Sequence, residues 1–143
     1  MTLLPNKFEA NRNNLSHFSV RSLCVDRAGT LWVGTYSGGV NYYNPLNNRF
    51  VFYHPLGNSE QKLYNIFGPM VYSTGSLWIA TEGGGLLQFN PATKEYTNYL
   101  LEERPVGMHN KNIIKSLMIE RESIWCGTNN GGLYRFHIPT KRF

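Results

Sequence analysis

A chain of 143 residues with 41% hydrophobic and 16% charged residues can build one globular core without metals or disulfides, and its composition excludes a disordered tail. The net charge of +5 comes from Lys and Arg scattered without a run or stripe, which excludes the usual footprint of a nucleic-acid interface. Eight Phe, nine Tyr, three Trp and fourteen Gly suit many short strands joined by tight turns.

Residues 1–5 are too short for the apolar region of a secretory signal and lack a basic start and a small-residue cleavage site, so no signal peptide is expected within this chain. No segment approaches the roughly eighteen apolar residues of a membrane span. Asn6-Lys7-Phe8-Glu9-Ala10 reads as a leading outer strand and resembles Asn48-Arg49-Phe50-Val51-Phe52. Four apolar runs then follow at 20–25, 30–36, 39–43 and 49–53. Asp26 and Gly29 suit a tight turn between the first two, because Asp bonds its own backbone and Gly accepts positive φ. Asn44-Pro45 ends the third run, since Pro cannot donate to a ladder. No stretch carries a sustained helical period, so helix is expected to be nearly absent.

The same unit then returns twice. Leu31-Trp32-Val33-Gly34-Thr35, Leu77-Trp78-Ile79-Ala80-Thr81 and Ile124-Trp125-Cys126-Gly127-Thr128 are one pentad, with the Trp residues 46 and 47 positions apart. Gly38-Gly39, Gly84-Gly85 and Gly131-Gly132 follow each Trp at six and seven positions, and Phe50, Tyr96 and Phe143 at eighteen. Tyr43-Asn44-Pro45 matches Phe89-Asn90-Pro91, while the third copy reads Phe136-His137-Ile138-Pro139. Upstream, residues 23–29 correspond to 69–75, and in the third copy residues 117–123 have lost the turn Gly and one residue. Four short runs per copy predict an all-β fold of β-propeller blades, three four-stranded antiparallel repeats forming part of a larger or oligomeric propeller. The expected division is a leading strand and connection at 1–17, blades at 18–63 and 64–110, and a third blade at 111–143 that lacks its outer strand. Trp32, Trp78 and Trp125 are expected to be largely buried between blades, the small residues Gly34, Ala80 and Gly127 to let neighbouring sheets approach, and the Gly pairs to form the hairpins after each second strand.

Catalytic chemistry finds little support. Asp26 is the only Asp, and its turn position explains it. His17, His54, His109 and His137 fall at unrelated repeat positions, so no metal site is expected. Thr81-Glu82-Gly83-Gly84-Gly85-Leu86 lacks the following Lys-Ser/Thr of a phosphate loop. No catalytic residue and no cofactor is expected. Cys24 and Cys126 lie in apolar runs at different repeat positions, where a thiol serves as a small hydrophobe rather than half of a bridge.

The pattern Val-x-x-Leu-x-x-Asp-x-x-Gly-x-Leu-Trp-Val-Gly-Thr-x-x-Gly-Gly-Val beginning at Val20 resembles the two-component regulator propeller repeat. The resemblance covers nearly the whole chain. It implies a piece of the periplasmic sensor region of Bacteroidetes hybrid two-component systems, whose members detect oligosaccharides, with no kinase, receiver or DNA-binding part in this chain. A protein-interaction or structural scaffold without a small-molecule ligand is the alternative. Two sets of loops share one face of an up-and-down blade. Those after the second strands offer Tyr36, Ser37, Glu82, Asn129 and Asn130, and those entering the first strands offer His17, Phe18, Tyr64, Asn65, Lys111 and Asn112. Aromatic rings there can stack on a sugar ring while Asn and Glu bond its hydroxyls. Three blades cannot close a ring, so the chain is expected either to self-associate, two copies making a six-bladed ring with exchanged N-terminal strands, or to belong to a longer sensor.

Overall fold

The computed structural model describes residues 14–46, 49–53, 67–102 and 110–143, and among these it contains strands and turns without helix. Strands β1 (Val20–Val25), β2 (Leu31–Thr35), β3 (Val40–Asn44) and β4 (Arg49–Tyr53) form one antiparallel meander. A second meander joins β5 (Phe67–Ser73), β6 (Ser76–Thr81), β7 (Leu86–Asn90) and β8 (Glu95–Tyr99). The third sheet has three strands, β9 (Ile114–Glu120), β10 (Ser123–Thr128) and β11 (Leu133–His137), followed by the isolated bridge His137 to Arg142. Among the described residues the first two copies thus form four strands each, and the third copy forms three. The expected leading strand at 6–10 lies outside the described residues.

The pentads occupy β2, β6 and β10, the second strand of each sheet, where both faces can be covered. Alternate side chains then serve two different interfaces. Trp32, Val40 and Cys24 pack from the first sheet against Met70, Leu77, Ile79, Leu87 and Phe89 of the second. From the opposite face of the second sheet, Trp78, Ala80 and Leu86 pack against Ile114, Ile124, Cys126 and Phe136 of the third. Each interface has its own Trp on Phe: Trp32 lies 6.0 Å from Phe89 edge-on, and Trp78 5.4 Å from Phe136. Trp32 and Trp78 are buried as expected. Trp125 is only half-buried, a departure whose cause is that no described sheet covers its face.

The small pentad residue has two neighbours rather than one. A Cβ on Gly34 would collide with the Ser22 hydroxyl of its own sheet and stand 3.2 Å from the Met70 sulfur of the next. Burial also pushes the Cys126 thiol up to about 12, and both cysteines are free.

The turn joining first and second strands departs from the alignment read along the sequence. Leu23 pairs with Val33 and Met70 with Ile79, so Leu23 and Met70 are equivalent and the second copy, like the third, is one residue shorter here. Thr74 and Gly75, both at positive φ (50° and 75°), make the two-residue turn that matches strand twist. In the longer turn of the first sheet Asp26 accepts hydrogen bonds from the backbone N–H of Ala28 and Thr30 (both 2.9 Å) and from Trp32 Nε1 (3.0 Å). Glu120 does the same for Trp125 Nε1 at 2.8 Å. In the second sheet Trp78 Nε1 is buried without a partner.

Burial acts to raise the Asp26 pKa, but the bonds from Trp32, Thr30 and Ala28 outweigh it and hold the carboxyl below its ordinary value. The folded state thus binds the proton less tightly than the unfolded state. Stability from Asp26 is fully present above the ordinary carboxylate range and is lost as pH falls through it toward the depressed folded value. Urea unfolding of Asp26→Asn should show a deficit at neutral pH that shrinks on acidification. A deficit independent of pH would mean that the charge of Asp26 contributes nothing.

Candidate functional site

The start of each first strand and the end of each second strand lie together, since Val20 pairs with Thr35 in the first sheet and Ile114 with Thr128 in the third. The hairpins beyond those ends are closed by a residue that the sequence reading left without a role. Thr35, Thr81 and Thr128 each donate the hydroxyl to the carbonyl of the second glycine, Gly39, Gly85 and Gly132, at 3.0, 2.8 and 2.9 Å. Those three glycines all have positive φ. The invariant final Thr of the pentad, read off the sequence, was the available signal.

Around the first hairpin an aromatic group is assembled. His17 and Phe18 stack at 4.4 Å, Tyr36 lies 6.2 Å from His17, and the Arg21 guanidinium lies 4.9 Å over the Tyr36 ring. The loop is held by Tyr36 N–H on the Ser19 carbonyl (2.9 Å) and by Asn41, whose side chain bonds both Ser16 N–H (3.0 Å) and Ser16 Oγ (2.8 Å). Phe18 nevertheless stands 70% exposed. His17 Nδ1 accepts the Ser19 N–H at 3.0 Å, which in the neutral ring leaves the proton on Nε2, free to donate. Arg21 carries no loop signal in the sequence, because it sits at the second position of β1.

A second group joins the second and third sheets on this face. Glu82 forms an ion pair with Lys115 and a bridge with Ile113, and Asn129 N–H donates to the Ile113 carbonyl at 2.8 Å. Lys115, on β9, was likewise not anticipated. Some candidates have structural work. Asn130 occupies a left-handed position (φ 63°), which Asn tolerates well. Lys111 packs its stem beneath Gly131, where an added Cβ would stand 3.0 Å from Lys111 Cγ. Asn112 is buried, with Oδ1 accepting from Leu101 and Glu102 N–H and Nδ2 donating to the Glu102 carbonyl, so it fastens the inter-sheet connection. Ser37 is exposed in the first hairpin. Tyr64 and Asn65 lie outside the described residues.

Among the described residues no helix is long and apolar enough to cross a membrane, and no three His, Cys, Asp or Glu side chains gather as metal ligands. The face offers rings, amides, one guanidinium and one ion pair.

Residues 15–37, covering this aromatic group and the first pentad, match the family model described as two component regulator propeller. No curated protein shows significant similarity. Solved structures do. The extracellular domain assigned to a hybrid two-component system of B. thetaiotaomicron is 23% identical with a TM-score of 0.69, over 87% of this chain and 18% of that one. A second B. thetaiotaomicron extracellular domain, assigned to a one-component system, is 24% identical with a TM-score of 0.70, over 90% of this chain and 18% of that one. PorZ, a surface component of the type-IX secretion system of Porphyromonas gingivalis, is 21% identical with a TM-score of 0.66, over 94% of this chain and 19% of that one. The chain thus spans about a fifth of the length of these structures. The chain thus has the fold of a β-propeller segment, and its residues 15–37 are similar to the two-component regulator propeller repeat.

Proposed function

We propose that this chain is a ligand-sensing segment of the extracytoplasmic propeller of a two-component signalling sensor, and that it recognises an oligosaccharide on the face carrying the hairpins after the second strands. The exposed ring group of His17, Phe18 and Tyr36 carries this reading. Burying a large ring is the default for a β-sheet protein, so Phe18 in water, braced by a stacked His and close to a Tyr, is a surface prepared for a flat apolar partner. The carbon face of a sugar ring is such a partner. Arg21, His17 Nε2, Glu82 and Asn129 supply the donors and acceptors that hydroxyl groups require. The repeat match and the extracellular neighbours support the sensor setting and the extracytoplasmic location.

Titration calorimetry against a panel of neutral and acidic oligosaccharides tests the reading. Binding by the wild-type chain should weaken at least about tenfold, or 1.4 kcal/mol, when Tyr36, Glu82 and Asn129 are jointly replaced by Ala. Binding unchanged by the triple replacement would remove this face as the site.

A further inference from the structure

At the end of each first strand one position decides whether the Trp of that sheet has its N–H bonded. The strand registers make Leu23, Met70 and Leu117 equivalent, so Asp26, Ser73 and Glu120, three residues further along, share one place. Asp26 and Glu120 use it to accept the indole N–H of their own sheet's Trp, at 3.0 and 2.8 Å. Ser73 does not, and Trp78 Nε1 is buried without a partner. Trp78 is 0% exposed, yet its own sheet leaves its N–H unbonded.

A fastening reaches Trp78 from the next sheet instead. Lys94 and Lys141 each stand sixteen positions after a Trp, in left-handed backbone (φ 63° and 57°), and each closes its turn by donating its N–H to the carbonyl of Asn90 or His137, at 2.8 and 2.9 Å. Their side chains differ. Among the described residues the Lys94 ammonium lies over no ring, whereas the Lys141 ammonium crosses to the second sheet, 4.7 Å over Trp78 and 5.8 Å over Tyr99. It also donates to Gln88 Oε1 at 3.2 Å. Gln88 is itself held, since Tyr99 donates to the same oxygen and Gln88 Nε2 donates to Ser76 Oγ at 2.8 Å. The other end of this turn is fixed in the third sheet. Ile138 is buried in the core shared by the two sheets, its N–H donates to the Glu122 carbonyl at 2.9 Å, and His137 Nδ1 meets Thr140 Oγ1 at 2.9 Å.

We infer that residues 137–141 form a strap between the second and third sheets, which stands in for the missing carboxylate at Trp78 and closes through the single charge of Lys141. The two ends of the strap are unequal. Ile138 is locked by burial, while Lys141 lies at the surface and can leave the ring without breaking a strand ladder. A cation over an indole contributes less than burial of the ring itself, so the Lys141 end releases first. Trp78 then has no bond to its own sheet, whereas Trp32 keeps Asp26. Of the two junctions between described sheets, the one between the second and third therefore opens more readily, and the charge of Lys141 sets how often. Local opening of this kind is read by hydrogen exchange without global unfolding.

Exchange of the indole N–H protons of the 143-residue chain, followed by NMR with each resonance assigned by Trp→Phe replacement, tests the strap. Lys141→Met keeps the stem and removes the charge. It should speed exchange at Trp78 about tenfold and leave Trp32 within about twofold, since only one cation–π contact is lost. Lys141→Arg keeps the charge and should exchange like the wild type. Ser73→Glu supplies the carboxylate that Glu120 provides before an equally short turn, so in that background Lys141→Met should no longer change exchange at Trp78. Unchanged exchange at Trp78 in Lys141→Met would overturn the strap. Equal acceleration at Trp32 would overturn it too, by showing a global loss of stability rather than a local opening. Trp78 exchange that still responds to Lys141→Met in the Ser73→Glu background would show that the strap does not stand in for the carboxylate.

Discussion

Replacing Trp78 by Ala is expected to lower the unfolding free energy by roughly 3 to 5 kcal/mol, the range for deleting a fully buried aromatic side chain. Trp78 is fully buried between the second and third sheets, 5.4 Å from Phe136 and 5.9 Å from Tyr99, and the Lys141 ammonium lies 4.7 Å above its ring. Burial holds the Lys141 pKa below its usual value. Its Nζ also donates to Gln88 Oε1 at 3.2 Å, and Tyr99 donates to the same oxygen at 3.0 Å. Removing the indole therefore empties a space whose walls belong to two sheets and takes away the ring under a partly desolvated cation. One effect acts in the other direction. The Trp78 N–H is buried without a partner, and an unsatisfied buried donor costs about 1 to 3 kcal/mol. Trp78→Phe keeps most of the ring and removes that donor, so it should lose far less than Trp78→Ala. Urea denaturation of both variants measures the difference. A loss below about 1 kcal/mol for the alanine variant would contradict the cavity account, which assumes that two sheets cannot close over the gap.

What the sequence made legible follows the spacing of its most constrained residues. The pentads, the Gly pairs and the aromatics at eighteen positions come from three copies of one unit, so equal spacing had to mean equal structure, and the strands fall close to where the runs placed them. Spacing was least informative at the first turn. Gly29 and Gly75 stand at the same distance before their Trp residues, yet the tighter turn at Thr74 and Gly75 shifts the first strand by one residue against the second. A one-residue slip reverses which side chains face each neighbour, and the wrong alignment would have set Met70 against Cys24 rather than Leu23. The Trp residues are identical in sequence, but burial depends on what lies beyond the sheet, which no property local to Trp125 encodes. For the candidate site, the convergence of the two loop sets followed from antiparallel geometry alone. Which loop residues would be consumed by the fold did not follow: Asn112 and Asn130 have the same composition signal as Asn129, and only the connection at 101–102 and the left-handed backbone separate them.

The second large effect concerns the hairpin glycines, where the same substitution at equivalent positions should give unequal results. Gly85 and Gly132 both sit at positive φ (72° and 86°) and both accept the hydroxyl of the preceding pentad Thr. Alanine at either position meets the cost of the left-handed conformation, about 1 to 2 kcal/mol for a residue with a Cβ. At Gly132 nothing lies within 4 Å of an added Cβ, so that cost should be the whole loss. At Gly85 the Cβ would collide with the Tyr99 carbonyl oxygen and stand 3.2 Å from Leu100 Cα. Both are backbone atoms, and neither can swing away as a side chain would. Gly85 N–H also donates to the Asn112 carbonyl at 2.9 Å, which ties the hairpin to the connection entering the third sheet. Overpacking of this kind adds about 1 to 3 kcal/mol, so Gly85→Ala should lose roughly 2 to 5 kcal/mol in all. Urea unfolding of the two variants side by side isolates the crowding, because the conformational cost is common to both. Equal losses would show that the end of β8 yields to the methyl group, and that the approach of Gly85 to Tyr99 does not fix the hairpin against its sheet.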